Sequence, residues 1–152
     1  MALARQLWNL SNTLLFYGVF QTMTHQPKPP TNEPAIRVVM MPRDTNPDGT
    51  IFGGVILSLI DQAAYIEAMR QARNRYVTVS FKEVEFHKPV YVGDALSLYG
   101  DTLHIGRTSL RIHVRVRAHR RSDPDQIVDV TEAEVAFVAV DDNGNPIPVL
   151  GD

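Results

Sequence analysis

From residue 36 onward, short apolar runs alternate with polar turn signals, and the period of each run indicates the element it predicts. "IRVVM" from Ile36 reads as a short strand. "PRDTNPDG" follows as a loop, because Pro fixes φ, Asn and Asp bond their own backbone, and Gly supplies left-handed conformations. The stretch from Ile51 to Ile66 is apolar or small at nearly every position. It predicts a helix opening at Gly53 and Gly54 and running to about residue 73. Strands come next. "YVTVSF" alternates apolar and polar, and "KEVEF" resumes the alternation in the opposite phase, the mark of a bulge near Lys82 and Glu83. "HKPVYVGD" is a Pro- and Gly-bearing connection and "ALSLYGDTLH" another strand. "GR" turns tightly into "TSLRIHVRVRAHR", where Leu110, Ile112, Val114 and Val116 share one face and the other is basic. After "RSDPDQ", "IVDVTEAEVAFVAV" is a last long strand whose second half is apolar on both faces, as a central strand is.

These elements make an α+β domain, one long apolar helix with about five strands in a mainly antiparallel, bent sheet. A helix that is apolar all round must be enclosed, and one sheet covers only one side of it. Either the N-terminal segment or a second copy of the chain covers the rest, and the second copy is the reading taken forward. Asp61 breaks the apolar run. With residues placed 100° apart it groups with Leu57, Tyr65, Ala68 and Ala72, and no basic residue stands three or four positions away. An unpaired carboxylate is costly to bury. Two readings follow: a wet interface edge, or a group retained for chemistry, the latter favoured. At the helix start, Gly53 and Gly54 leave backbone N–H groups unobstructed, suited to a developing oxyanion. Eight residues separate Gly53 from Asp61, about 12 Å along a helix. One carbonyl cannot touch both. Two antiparallel helices across a dimer axis would bring the Asp61 of one opposite the Gly54 amide of the other.

Composition narrows the classes. The 152 residues carry 15 basic and 17 acidic side chains, net charge -2, which gives no overall reason to expect a nucleic-acid partner or an anionic membrane surface. With no cysteine, disulfides, thiolate zinc sites and a thiol nucleophile are all excluded, and a reducing cytoplasm is the compartment expected. His113 and His119 lie six strand residues apart, about 20 Å, too far to share a metal. Residues 1–34 stand apart from the domain at 35–152. "MALARQLWNLSNTLLFYGVF" is interrupted by Asn9, Ser11 and Asn12, so it reads neither as a cleaved signal nor as the roughly 18 apolar residues of a membrane span. "THQPKPPTNEPA" is a Pro-rich linker by composition. Two readings of what precedes it stand side by side: an accessory helix over residues 3 to 20, or translation from Met23.

The run "MPRDTNPDGTIFGGVILSLID", with "VTVSFKEVEFHKPVYVGD" and "GRTSLRIHVRV" after it, resembles the hotdog-fold acyl-CoA thioesterases of the bacterial acyl-CoA hydrolase group. The resemblance covers about residues 37 to 140. It implies a long helix wrapped by a curved antiparallel sheet, homodimers that often assemble as trimers of dimers, and hydrolysis of acyl-CoA to free acid and CoA. No metal or redox cofactor is implied, coenzyme A being part of the substrate. Carried over by position, the family's helix carboxylate falls on Asp61, its loop asparagine on Asn46, and its carbonyl-polarising amides on Gly53 and Gly54. Its CoA-phosphate contacts fall on Lys88 and on the turn Arg107, Thr108 and Ser109. Without the resemblance, Asn46 reads as an ordinary Asx-turn residue. The stripe Arg111, His113, Arg115, Arg117 and His119 could assist phosphate binding, but a solvated or subunit-facing sheet surface is the plainer account. The rival function is a non-catalytic module that binds or senses acyl-CoA on the same fold. A third idea makes the N-terminal segment an interaction helix for another protein.

Overall fold

The computed structural model describes residues 26–151; the accessory helix expected over residues 3 to 20 and Met23 lie outside them. The elements are β1 (Ile36–Val39), a 3-10 turn (Pro42–Asp44), α1 (Gly53–Gln71), β2 (Arg75–Phe86), β3 (Ala95–Ile105), β4 (Ser109–His119) and β5 (Ile127–Val140). All strand pairs are antiparallel, and the sheet runs β1-β3-β4-β5-β2. β5 lies inside the sheet, as its apolar second half requires. β2 is an edge.

The helix packs on one face of this sheet. Ile56, Ile60, Ala63, Ala64 and Ala68 of α1 form one core with Leu96, Leu98, Ile112, Val114, Val135 and Phe137, all buried. Each large aliphatic residue so enclosed contributes about 1.5–3 kcal/mol. Away from the sheet the helix is uncovered: among the described residues nothing encloses Tyr65 or Ile66, which are 41% and 45% exposed. Val77, Val79 and Phe81 on the edge strand are exposed as well. The single chain therefore leaves apolar residues uncovered on both the helix and the edge strand.

The phase flip in β2 is a bulge. Pairing with β5 skips between Lys82 and Glu85, and Glu83 takes φ of 55°, a left-handed conformation that relieves the extra residue. A second skip, between Thr78 and Ser80, leaves Val79 unpaired. The alternation of "YVTVSF" does not show it. α1 ends at Ala72, whose extended backbone (φ -150°, ψ 139°) stops the spiral. The Tyr76 hydroxyl then donates to the Ala72 carbonyl at 2.9 Å.

The Gly-Asp turn before β3 is a structural clamp. Gly93 has φ of 87°, which a side chain would strain. Asp94 is 3% exposed. It accepts from the Arg120 guanidinium at 2.6 Å, from Tyr91 N at 3.1 Å and from Arg121 N at 3.1 Å. Among the described residues no helix is long and apolar enough to cross a membrane.

Candidate active site

Asp61 is half-buried, and its partner comes from the sheet. The Thr78 hydroxyl of β2 donates to Asp61 Oδ1 at 2.8 Å. Among the described residues Asp61 is in no ion pair. The sequence reading looked for a partner on the helix; strand order supplies one, because β2 runs beside the helix and turns Thr78 inward. The second oxygen is left for other bonds. Asp61 opens onto a cleft of about 370 Å³ lined also by Gln62, Tyr65, Ile66, Tyr76 and Phe137. The three rings meet edge to face, with centroids 6.4, 6.4 and 6.2 Å apart. Burial pushes the Tyr76 phenol up from its ordinary pKa, so it stays protonated and keeps its bond to Ala72.

Gly53 and Gly54 open α1 as the sequence predicts. The N–H groups of Val55 and Ile56 turn back to Phe52 O at 3.0 and 3.4 Å, while those of Gly53 and Gly54 have no backbone acceptor among the described residues. They are the unpaired donors at a helix N-terminus. A Cβ on Gly53 would lie 3.3 Å from the Phe86 ring, closer than that ring readily allows; one on Gly54 would meet nothing. Gly53 lines a second cleft, about 330 Å³, together with Thr50, Phe86, His87 and Lys88. Lys88 is thus near the helix start.

Asn46 sits in the loop leading to that start. Its Oδ1 accepts from Asp48 N at 3.0 Å and Thr50 N at 3.1 Å, and its Nδ2 donates to Thr50 Oγ1 at 2.7 Å. This is the Asx-turn arrangement, with one Nδ2 hydrogen uncommitted. The loop is tied to the helix start through Phe52 N to Asp44 O at 2.9 Å and Ile51 N to Val90 O at 2.8 Å.

Arg107, Thr108 and Ser109 occupy the other end of the sheet. Ser109 pairs with Val138 and Val138 with Val77, so the turn lies two strands from the β2 segment that carries Thr78. The turn is braced by its own carbonyls, Thr108 O accepting from Ala139 N at 2.9 Å and Arg107 O from Val149 N at 2.8 Å. The structure therefore sorts the sequence-nominated residues into two groups. Asn46, Gly53, Gly54 and Lys88 gather at the start of α1; Asp61 stands at its middle, and the Arg107–Ser109 turn lies across the sheet, two strands from β2. The basic stripe on β4 is largely neutralised. Arg111 pairs with Glu134 at 3.2 Å, Arg115 with Asp101 at 3.1 Å and Arg117 with Asp129 at 2.9 Å, and His113 lies 3.4 Å from Glu132.

Two polar side chains around α1 escaped the sequence reading. Thr78 is one; its signal was a hydroxyl on the inward phase of β2. Glu67 is the other, a helix carboxylate only 4% exposed. Its oxygens accept from Thr102 Oγ1 at 2.6 Å, Gln71 Nε2 at 2.8 Å and the Arg70 guanidinium at 2.7 and 2.8 Å. Donating to the Glu67 carboxylate raises the Arg70 pKa above its ordinary value. Arg70 also reaches Pro29 O at 3.0 Å, and Gln71 accepts from Lys28 N at 2.8 Å, so the cluster fastens the linker to the end of α1.

Known proteins give this geometry its setting. Residues 48–123 match the model of the Thioesterase superfamily. The chain is 43% identical over 124 residues to the acyl-CoA thioester hydrolase ZMO0511 of Zymomonas mobilis, itself uncharacterized, covering 82% of this chain and 83% of that one. It is 38% identical over 129 residues to the acyl-CoA thioester hydrolase YciA of Salmonella typhimurium, covering 84% and 97%. Among solved structures it superposes on HI0827, a hexameric broad-specificity acyl-coenzyme A thioesterase, with a TM-score of 0.74 and 37% identity over 80% of this chain and 84% of that one. By sequence and by fold, the chain belongs to the hotdog-fold acyl-CoA thioesterases, in the group of YciA and HI0827.

Proposed function

We propose that the protein hydrolyses acyl-CoA to a free carboxylic acid and CoA at sites shared between two copies of the chain, each site taking Asp61 from one copy and the helix start from the other. The observation that carries this is the separation on one helix. A carboxylate with a free oxygen and a pair of unpaired amides lie about 12 Å apart along α1 and open onto different clefts. An antiparallel second copy unites them, and the exposed apolar side chains of Tyr65, Ile66 and Phe81 give it surface to cover. Hexamers in the relatives fit a trimer of such dimers.

In this arrangement the thioester oxygen accepts from the Gly53 and Gly54 amides, which gain strength as the carbonyl oxygen takes on negative charge. Asp61 removes a proton from water as that water attacks the carbonyl carbon, or attacks the carbon itself to give an anhydride that water then opens. In either route the C–S bond breaks and the CoA thiolate leaves. Thr78 holds the carboxylate in line. Asn46 shapes the loop to the helix start and offers its remaining Nδ2 hydrogen to the water. Lys88 from one copy and the Arg107–Ser109 turn from the other receive the CoA phosphates, which resolves their placement at opposite ends of a single chain. Residues 35–152 carry this unit, and no cofactor is needed.

Free-thiol release from a panel of acyl-CoA substrates tests the activity. Asp61→Ala should lower kcat by about 10²–10⁴-fold, the range of positioned acid–base catalysis, while CoA still binds. Hydrolysis unchanged within a few-fold would leave an acyl-CoA binding module in place of an enzyme. Oxygen-18 from solvent entering the Asp61 side chain in a single turnover marks direct attack followed by opening of the anhydride at the aspartyl carbonyl.

A further inference from the structure

The open face of α1 carries two polar side chains that the chemistry does not use. Gly54, Ser58, Gln62, Tyr65 and Ile66 are the exposed residues of the helix, set at helical spacing along one stripe. The Gln62 amide folds back along the helix and donates to Ser58 O at 3.2 Å and Ser58 Oγ at 3.3 Å, both long bonds. Among the described residues the Gln62 carbonyl oxygen accepts nothing and the Ser58 hydroxyl donates to nothing. Where this pair stands in a dimer follows from the pairing of Asp61 with the partner's Gly54. In antiparallel helices related by a twofold axis, residues equally far from the axis on either side face each other. Asp61 and Gly54 are equally far from the point between Leu57 and Ser58, so the axis passes there. Ser58 therefore lies beside its own copy. The two Gln62 backbones are about 13 Å apart along the helices, but each amide, folded back onto Ser58, stands near the axis.

We infer that Ser58 and Gln62 are the register key of the dimer, the Ser58 hydroxyl of one copy donating to the free Gln62 oxygen of the other and so holding Asp61 opposite the partner's Gly54. This rests on the reading that the site is shared between two copies. Apolar helix faces pack almost equally well one turn, about 5.4 Å, out of register. A hydroxyl and an amide enclosed between them do not, because a slip leaves both without partners, as a buried asparagine fixes the register of a coiled coil. Ser58 and Gln62 touch no reacting atom. They are positioning residues, acting through where one α1 lies against the other.

Two measurements on the full-length chain test the key. The chain has no cysteine, so one introduced thiol reports the position of the axis. A disulfide needs Cα atoms within about 7 Å. On oxidation Ser58→Cys should run as a covalent dimer and Gln62→Cys as a single chain. A Ser58→Cys protein that does not cross-link, or a Gln62→Cys protein that cross-links as readily, would overturn the key. The second measurement compares Ser58→Thr with Ser58→Val, two side chains of one shape that differ in the hydroxyl. Ser58→Val should keep the dimer mass and lower kcat for acyl-CoA about three- to tenfold with KM little changed, because dimers out of register have no complete site. Ser58→Thr should restore kcat to within about twofold of wild type. Equal kcat in the two variants would also overturn the key. Cross-linking of Ser58→Cys but not Gln62→Cys, in a protein whose wild type releases no thiol from acyl-CoA, would support the key and remove the hydrolase reading. An active wild type whose Ser58→Cys variant stays unlinked would keep hydrolysis and remove the key.

Discussion

Two carboxylates six residues apart on α1 have opposite surroundings. Glu67 is almost wholly enclosed and spends both oxygens on four hydrogen bonds, two of them from one guanidinium. Asp61 is half-buried, takes one bond from Thr78 and faces an open cleft. A saturated carboxylate has no lone pair to offer a substrate, and its desolvation is offset by its partners. One bonded on a single side is oriented yet still able to accept a proton. Burial and charge alone would have ranked Glu67 as the more unusual group. Bonding separates the carboxylate locked into the structure from the one left open to a ligand.

The largest effect expected of this contrast comes from mixing subunits. Asp61→Ala and Asn46→Ala should each be nearly inactive alone. If each site takes the two residues from different copies, half of randomly mixed dimers are hybrids and each hybrid has one intact site, so about a quarter of wild-type activity returns. Activity staying at the level of the separate variants after subunit exchange would place both residues in one chain.

Glu67→Ala should act on stability. It strips Arg70 and Thr102 of their acceptor and releases the linker. Since Arg70 is 29% exposed, a loss of about 2–3 kcal/mol is expected, below the figure for a fully buried pair. Urea midpoints measure it. A fully folded Glu67→Ala protein with activity as low as Asp61→Ala would erase the distinction between the two carboxylates.

Thr78→Val is the smallest step, removing a single hydrogen bond from Asp61. It should lower kcat about three- to tenfold, the equivalent of about 1 kcal/mol, with KM little changed. A purely structural Thr78 would instead shift the unfolding midpoint and leave kcat alone.

The helix and the main bulge were legible in the chain because both are local. An apolar run too long for a strand marks α1, and a change of phase at Lys82 marks the insertion that Glu83 accommodates at positive φ. The glycine pair at the helix start was equally plain. What joins residues across the fold was not. Thr78 reaches Asp61 only because β2 lies at the edge next to β5, an order that no window of sequence contains. Glu67 and Arg70 have the spacing of an ordinary exposed pair. Their burial comes from Thr102 and from Lys28 and Pro29, distant in the chain. Asn46 forms the Asx turn that its place in the loop suggests. Lys88 and Arg107 looked like one phosphate site until the sheet register placed them at opposite ends.

The sheet order also carries a consequence for how the protein is made. β2 ends at Phe86, but its one partner strand among the described residues, β5, begins at Ile127. At translation rates of about 5–20 residues per second, β2 waits roughly 2–8 s beyond its own emergence before that partner is synthesised. Throughout that interval Val77, Val79 and Phe81 have neither a ladder beside them nor a second subunit over them. Nascent chains therefore pass through a stage with a sticky, unpaired strand next to α1. A premature stop before Ile127 would fix the chain there, with Thr78 lacking the strand that holds it against Asp61.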